Sequence, residues 1–390
     1  MNLWRPIEQA DPLFSELYGL VRTLSFEEFQ SQYHYVKIIH QSRNSTVRLA
    51  THIETGQSVI MKTIYKSKLT NPKQVCALAR EIKILRFFGE NRHITELYDA
   101  LDVIDGIYLI LEYAEGGDLY SYISTHKHLQ EYEIKRFFYS IVKTVSFMHI
   151  NGYVHRDLKL ENILLDENGR VMLADFGCSR EFKEGEFTSS VCGTVQYEPP
   201  EILLCKSYDA TKVDSWALGI ILYALFFNKL PYNGNSVCEA LGQIVREEIV
   251  IPNGISEDAR KILHGLLCND PEKRLRVVDL PNHPWLRRVH LMQKNSQKKD
   301  RIHLAALKTM QESNTEGMDE NKLVSYRIMK RKYQVGKMLN MNPVEHDMGR
   351  IPTPEARARE CRSKLILRPM SANIAQKKLL ASLVPPSKFI

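Results

Sequence analysis

A change of hydrophobic period near residue 115 constrains this chain more than any other feature of its sequence. From Tyr33 to about Tyr113 apolar residues recur mostly at every second position, the repeat of a half-buried strand. Tyr33 to Ile39, Thr46 to Ile53 and Ser58 to Ile64 read as three antiparallel strands. Pro72 opens a helix that carries Val75, Leu78, Ile82 and Leu85 on one face. Leu97 to Val103 and Ile107 to Tyr113 read as two further strands, with Asp105-Gly106 between them as a hairpin signal. After Gly116-Gly117 the repeat becomes helical: Phe137, Ile141, Val145 and Met148 mark one helix, Trp216 to Phe227 a buried one, Ala259 to Leu267 another. Strands first and helices after predict an α+β chain with a small β-rich part and a large helical part.

The flanks differ from this body. Residues 1–32 form a leader with Leu13, Phe14, Leu17, Tyr18, Leu20, Val21 and Leu24 at helical spacing. Within it, Ser25-Phe26-Glu27-Glu28 reads as a capping box. From His290 onward there are 20 Lys/Arg against 9 Asp/Glu, whereas the preceding 289 residues carry 33 against 37. A slightly acidic body therefore carries a strongly basic tail, read as solvated or interacting and partly disordered. No zinc, homeodomain or RNA-recognition pattern accompanies that charge, so nucleic acid is not expected as a partner. The twelve apolar residues Trp216–Phe227 are too few to span a bilayer, and the start shows no signal-peptide pattern. Seven cysteines, an odd number with no C-x-x-C pair, suit reduced thiols of an intracellular protein, in cytoplasm and nucleus.

The residues that carry chemistry occur in a fixed order. Val59-Ile60-Met61-Lys62 sits in an expected strand. His155-Arg156-Asp157-Leu158-Lys159-Leu160-Glu161-Asn162 follows, then Asp175-Phe176-Gly177, then Pro199-Pro200-Glu201. This set resembles the eukaryotic protein kinase family over roughly residues 33–286, and joint occurrence makes it far more specific than any one motif. The resemblance implies a two-lobed protein kinase fold, with an N-lobe over 33–113 and a C-lobe over 117–286. It implies ATP and Mg2+ as cofactors, and transfer of the γ-phosphoryl to Ser/Thr hydroxyls of protein substrates.

The resemblance also assigns roles. Asp157 would take the acceptor's proton, Lys159 would reach the transferred phosphate, and Asp175 and Asn162 would hold magnesium. Lys62 would hold the α- and β-phosphates, oriented by Glu81 through an ion pair. Ile39, Val47, Ile60, Leu111 (the gatekeeper position), Glu112 to Ala114 (the hinge) and Leu164 (the floor) would line the adenine site. Leu85, Leu97, His155 and Phe176 match the stack between lobes, Asp214 the carboxylate anchoring the catalytic loop, and Glu201 with Arg274 a buried ion pair. Lys159 follows the serine/threonine pattern. His283-Pro284-Trp285 and the segment Glu184–Tyr197 look most like the calmodulin-dependent and AMP-activated group.

Two departures stand out. The glycines of the family's phosphate loop are replaced by His40, Ser42 and Ser45. A non-glycine forced to positive φ there costs on the order of 1–2 kcal/mol. Ile60 replaces the alanine that roofs adenine, where overpacking costs about 1–3 kcal/mol. An active kinase with a modified lid and a pseudokinase scaffold with weak or no turnover both remain open at this level. Asp118 and Glu161 match acidic positions that hold arginine about three residues before the acceptor, and Asp118 reads equally as a helix cap. Ser190 takes the place of the acceptor for an upstream activating kinase, with Thr188 and Ser189 as competitors. Residues 320–340 are basic and apolar, which suits calmodulin or an autoinhibitory contact, or else a tail that regulates nothing.

Overall fold

A computed structural model describes residues 12–42, 45–126, 128–190, 192–232, 242–243, 249–287 and 289. The tail stretch 320–340 lies outside the described residues, as does Cys361.

The chain enters through helix α1 (Pro12–Tyr18), strand β1 (Arg22–Thr23) and helix α2 (Phe26–Gln32). Ser25 caps α2: its hydroxyl accepts the Glu28 N–H while the Glu28 carboxylate accepts the Ser25 N–H. Strands β2 (Tyr33–Gln41), β3 (Ser45–His52) and β4 (Gln57–Tyr65) follow as an antiparallel meander. Helix α3 (Pro72–Phe87) starts on an Asn71 cap with proline in its first turn. Strands β5 (Leu97–Val103) and β6 (Gly106–Glu112) complete a six-stranded sheet in the order β1-β5-β6-β4-β3-β2.

The leader is thus not simply helical. Its two helices are split by β1, which pairs in parallel with β5 through Arg22 opposite Leu101 and Thr23 opposite Asp102. Arg22 is tied to Asp99 at 2.6 Å, and Phe29 joins Tyr33, Ala50, Val59, Met61 and Tyr108 in one apolar core. A two-residue strand has no periodicity to read. The β5–β6 turn also differs in its reason for glycine. The turn residues are Ile104 and Asp105, and Gly106 already pairs with Val103 and Tyr65. A Cβ there would sit 2.9 Å from the Ile64 carbonyl oxygen, so close strand approach, not positive φ, demands glycine.

The helical part contains α4 (Leu119–Thr125), α5 (Glu131–Ile150), strand β7 (Tyr153–Val154) and the hairpin of β8 (Ile163–Leu165) with β9 (Val171–Leu173). Short strands β10 (Arg180–Glu181) and β11 (Phe187–Thr188), and helix α6 (Pro200–Leu203), carry the segment beyond Gly177. Strand β12 (Tyr208–Asp209) leads into α7 (Ala210–Phe227), and α8 (Glu257–Leu266) packs against it. Trp216, Leu218, Ile220, Ile221 and Leu222 of α7 are wholly buried. Its length and apolarity would suffice to cross a bilayer, but 83% of it is buried within the protein. A strand-rich lobe followed by a helix-rich lobe is the α+β, two-lobed architecture that the period change predicts.

Candidate active site

Strand alternation builds the upper wall. On β4, Val59 and Met61 point into the sheet's core, so Ile60 and Lys62 share the opposite face. Register sets Lys62 between Val47 and Leu109, and Ile60 between Leu49 and Leu111. Val47, Ile60 and Leu111 are all half-buried on this wall. Glu112 is buried with its N–H donated to the Glu96 carbonyl, and Ala114 is buried just beyond. Leu164 is half-buried on β8, bridged to Asp118. Ile39 is the exception among the expected adenine contacts: it lies at a register break in β2 and is 49% exposed.

The loop without glycine closes on two serines. Ser45 N–H donates to Ser42 Oγ at 3.1 Å, and Ser42 N–H to the Ser45 carbonyl at 2.9 Å. One backbone bond and one bond to a serine hydroxyl thus close the turn.

Lys62 Nζ reaches Glu81 Oε1 at 2.7 Å and Asp175 Oδ1 at 2.9 Å. Burial alone would lower the lysine, but the two carboxylates overcome it and hold the ammonium above its ordinary value. The same lysine pulls the Asp175 carboxyl down to about 2. Lys62 and Asp175 are therefore charged at neutral pH, while burial raises the Glu81 carboxyl against the pull of Lys62. Asp175 has φ +60° and Arg156 φ +65°, left-handed conformations uncommon outside glycine. At Arg156 the wholly buried Asp214 holds the loop in place. Its carboxylate accepts the His155 N–H at 2.9 Å, the Arg156 N–H at 2.8 Å and His149 Nε2 at 2.8 Å.

The lower wall centres on Asp157. Its Oδ1 accepts from Thr194 Oγ1 at 2.9 Å, and its Oδ2 from Lys159 Nζ at 3.1 Å and Asn162 Nδ2 at 3.3 Å. Lys159 Nζ also donates to Thr194 Oγ1 at 3.0 Å. Gly193 carries Thr194 past this loop at φ +118°, where a Cβ would lie 2.8 Å from the Arg156 carbonyl oxygen. Only glycine fits. Beneath, His155 and Phe176 stack edge to face at 5.1 Å, with Leu85 and Leu97 buried.

The donor set suits a hard divalent cation. Asn162 spends its amide nitrogen on the Asp157 carbonyl at 2.8 Å, which leaves its amide oxygen available. Asp175 spends one oxygen on Lys62, and its side chain is 46% exposed. Among the described residues no group of three or more His, Cys, Asp or Glu forms a metal cage. An ion here would take few protein oxygens, as magnesium does beside phosphates.

Sequence reasoning missed Thr194, which ties Asp157 to Lys159, and Glu198, a buried carboxylate near Asp157. The only signal for Thr194 was its place after Cys192-Gly193, and Glu198 carried no motif. Asp118 is a helix cap, its carboxylate accepting the Ser121 N–H at 2.7 Å and the Ser121 hydroxyl at 3.0 Å, while Glu161 is exposed. Ser190 is exposed, and its Oγ accepts from Arg156 Nη1 at 2.7 Å. Thr188 Oγ1, one of its competitors, is instead held by Arg180 at 3.0 Å.

The family model described as "Protein kinase domain" matches residues 33–286. Similar proteins include mouse "NUAK family SNF1-like kinase 1", 35% identical over 281 residues, covering 72% of this chain and 42% of that protein. The human protein of the same name is 36% identical over 269 residues, covering 69% and 40%. "SNF1-related protein kinase catalytic subunit alpha KIN12" of Arabidopsis thaliana is 36% identical over 253 residues, covering 65% and 51%. The chain thus spans between two-fifths and about half of these relatives' lengths. With its lobes, its ordered motifs and the match over 33–286, the chain belongs to the protein kinase family.

Proposed function

We propose that this chain is a serine/threonine protein kinase of the calmodulin-dependent and AMP-activated group, acting on intracellular protein substrates. The observation that carries this reading is the Lys62 ammonium held between Glu81 and Asp175. The similarity to SNF1-related kinases supports it. A scaffold relieved of catalysis would have no reason to keep a partly buried ion cluster that costs desolvation.

Magnesium-bound ATP would supply the γ-phosphoryl, with Asp175 and the Asn162 amide oxygen as its protein ligands. Asp157 accepts the proton of the attacking hydroxyl on a carboxylate oxygen. Lys159, already beside that carboxylate, neutralises charge on the transferred group. Lys62, oriented by Glu81, meets the α- and β-phosphates. Val47, Ile60, Leu111 and Leu164 enclose the base, with Glu112 and Ala114 at the hinge. Lys159 and Thr194 make a network at the acceptor that suits a short aliphatic hydroxyl.

A peptide panel tests the substrate class. Serine and threonine peptides with arginine three residues before the acceptor should be phosphorylated well, and matched tyrosine peptides should not. Equal use of tyrosine, or of acidic peptides, would contradict the reading.

Two variants probe the crowded base pocket and the acceptor of the upstream kinase. Ile60→Ala should leave ATP affinity unchanged or raise it up to tenfold, as measured by titration calorimetry. A marked loss would make Ile60 a working contact of the base. Ser190→Ala should lower activity at least tenfold after treatment with an upstream kinase. A phosphate on Ser190 would meet the Arg156 guanidinium already 2.7 Å from its oxygen. Loss of activity in Thr188→Ala alone would move the acceptor two residues upstream. For residues 320–340 we keep calmodulin binding or autoinhibition as the proposal, tested by truncation after Val289 and by calmodulin capture.

A further inference from the structure

We infer that Glu198 is a specificity-determining residue, recognising a lysine or arginine side chain next to the acceptor residue of the substrate. The inference rests on the kinase reading and deepens it.

Glu198 follows the short helical turn Val195–Tyr197, its N–H donating to the Val195 carbonyl at 3.2 Å. The segment before it wraps the catalytic loop. Thr194 Oγ1 sits on Asp157, and the Tyr197 hydroxyl accepts the Leu160 N–H at 3.5 Å. The Glu198 side chain returns toward the same point. A Cβ built on Gly193 would lie 3.5 Å from Glu198 Oε1 and 3.8 Å from Asp157 Oδ1. Two carboxylates therefore converge on one small volume.

Their circumstances differ. Asp157 meets three donors, from Thr194, Lys159 and Asn162. Glu198 is only 6% exposed, and among the described residues no donor meets its carboxylate. Asp157 is the charge that acts on it, and the cations of the catalytic loop are engaged elsewhere. Lys159 is spent on Asp157 and Thr194, Arg156 on the Cys178 carbonyl and Ser190, and the Cys192 thiol offers no cation. Burial first, and then the Asp157 charge, raises the Glu198 carboxyl to about 7. A carboxylate in that position is costly in the free protein. An arriving ammonium or guanidinium would relieve both the burial and the repulsion.

Geometry limits where that cation comes from. The acceptor hydroxyl must lie at Asp157, and successive residues of a peptide are about 3.8 Å apart at Cα. A side chain immediately flanking the acceptor is therefore within reach of Glu198. The arginine expected three residues upstream is a separate feature.

Matched serine peptides with arginine held three residues upstream, and Lys, Arg, Leu or Glu on either side of the acceptor, test the inference. Binding is read by fluorescence anisotropy and transfer by kcat/KM, with wild type and Glu198→Gln. In the wild type, Lys or Arg at one flanking position should exceed Leu by about tenfold in both readouts. That ratio should grow between pH 6 and pH 8 as Glu198 ionises. In Glu198→Gln it should fall below about twofold and lose its pH dependence. Equal binding of Lys and Leu peptides by the wild type, or an unchanged ratio in Glu198→Gln, overturns the inference. Anisotropy needs no turnover, so discrimination in binding without transfer supports the role of Glu198 while contradicting the kinase reading.

Discussion

Asp157→Asn should lower kcat by about 10^2 to 10^4-fold, the range that a positioned general base contributes. The substitution keeps the shape of the side chain and its contacts with Thr194 and Lys159, while removing the charge that accepts the proton. Nucleotide affinity should change little, because the expected phosphate and metal contacts come from Lys62, Asp175 and Asn162. Thermal stability should also be preserved, since the amide oxygen can face Lys159 and Asn162 as acceptor while the amide nitrogen donates to the Thr194 hydroxyl. Steady-state kinetics with a fixed peptide and varied ATP separates the terms. An asparagine variant with unchanged kcat would remove Asp157 from its role.

The second large effect concerns stability. Arg274 is 1% exposed and donates to both oxygens of Glu201, at 2.6 and 3.0 Å. It also donates to the carbonyls of Cys268 and Lys212, each at 2.9 Å, and lies 5.0 Å from the centre of the Trp216 ring. Arg274→Ala deletes all of these and leaves a buried carboxylate uncompensated. The expected loss is about 3–5 kcal/mol. For a domain of this size that is on the order of a 10 °C fall in Tm. Glu201→Gln combined with Arg274→Met should recover part of the loss, because no lone charge is left behind. A fall of less than 2 °C in Arg274→Ala, followed by calorimetry, would show that the pair contributes little to stability.

How much of this was legible depended on the length scale of the signal. Long elements with many periodic positions, such as the helix at Pro72–Phe87 and the buried helix ending at Phe227, were readable from spacing and caps. The arrangement of Lys62 with Glu81 followed from family resemblance, since nothing in a lone lysine on a strand points to a glutamate 19 residues on. The leader strand Arg22–Thr23 was invisible because its pairing with Leu101 and Asp102 is long-range and only two residues long. Asp118 shows a different limit. One carboxylate can cap a helix and face a substrate, and sequence spacing does not rank the two. Glu198 escaped notice because what distinguishes it is burial beside Asp157 with no ion pair among the described residues, a property of three-dimensional neighbours and not of residue type.

The most direct test of the account is transfer of labelled γ-phosphate from ATP to a serine peptide by the purified chain, with Mg2+ and after its removal by chelation. The account predicts incorporation that requires Mg2+, is restored when Mg2+ is returned, and is lost in Asp175→Asn. Nucleotide binding by the wild type, seen as a thermal shift, with no label reaching any peptide would contradict it and identify a pseudokinase.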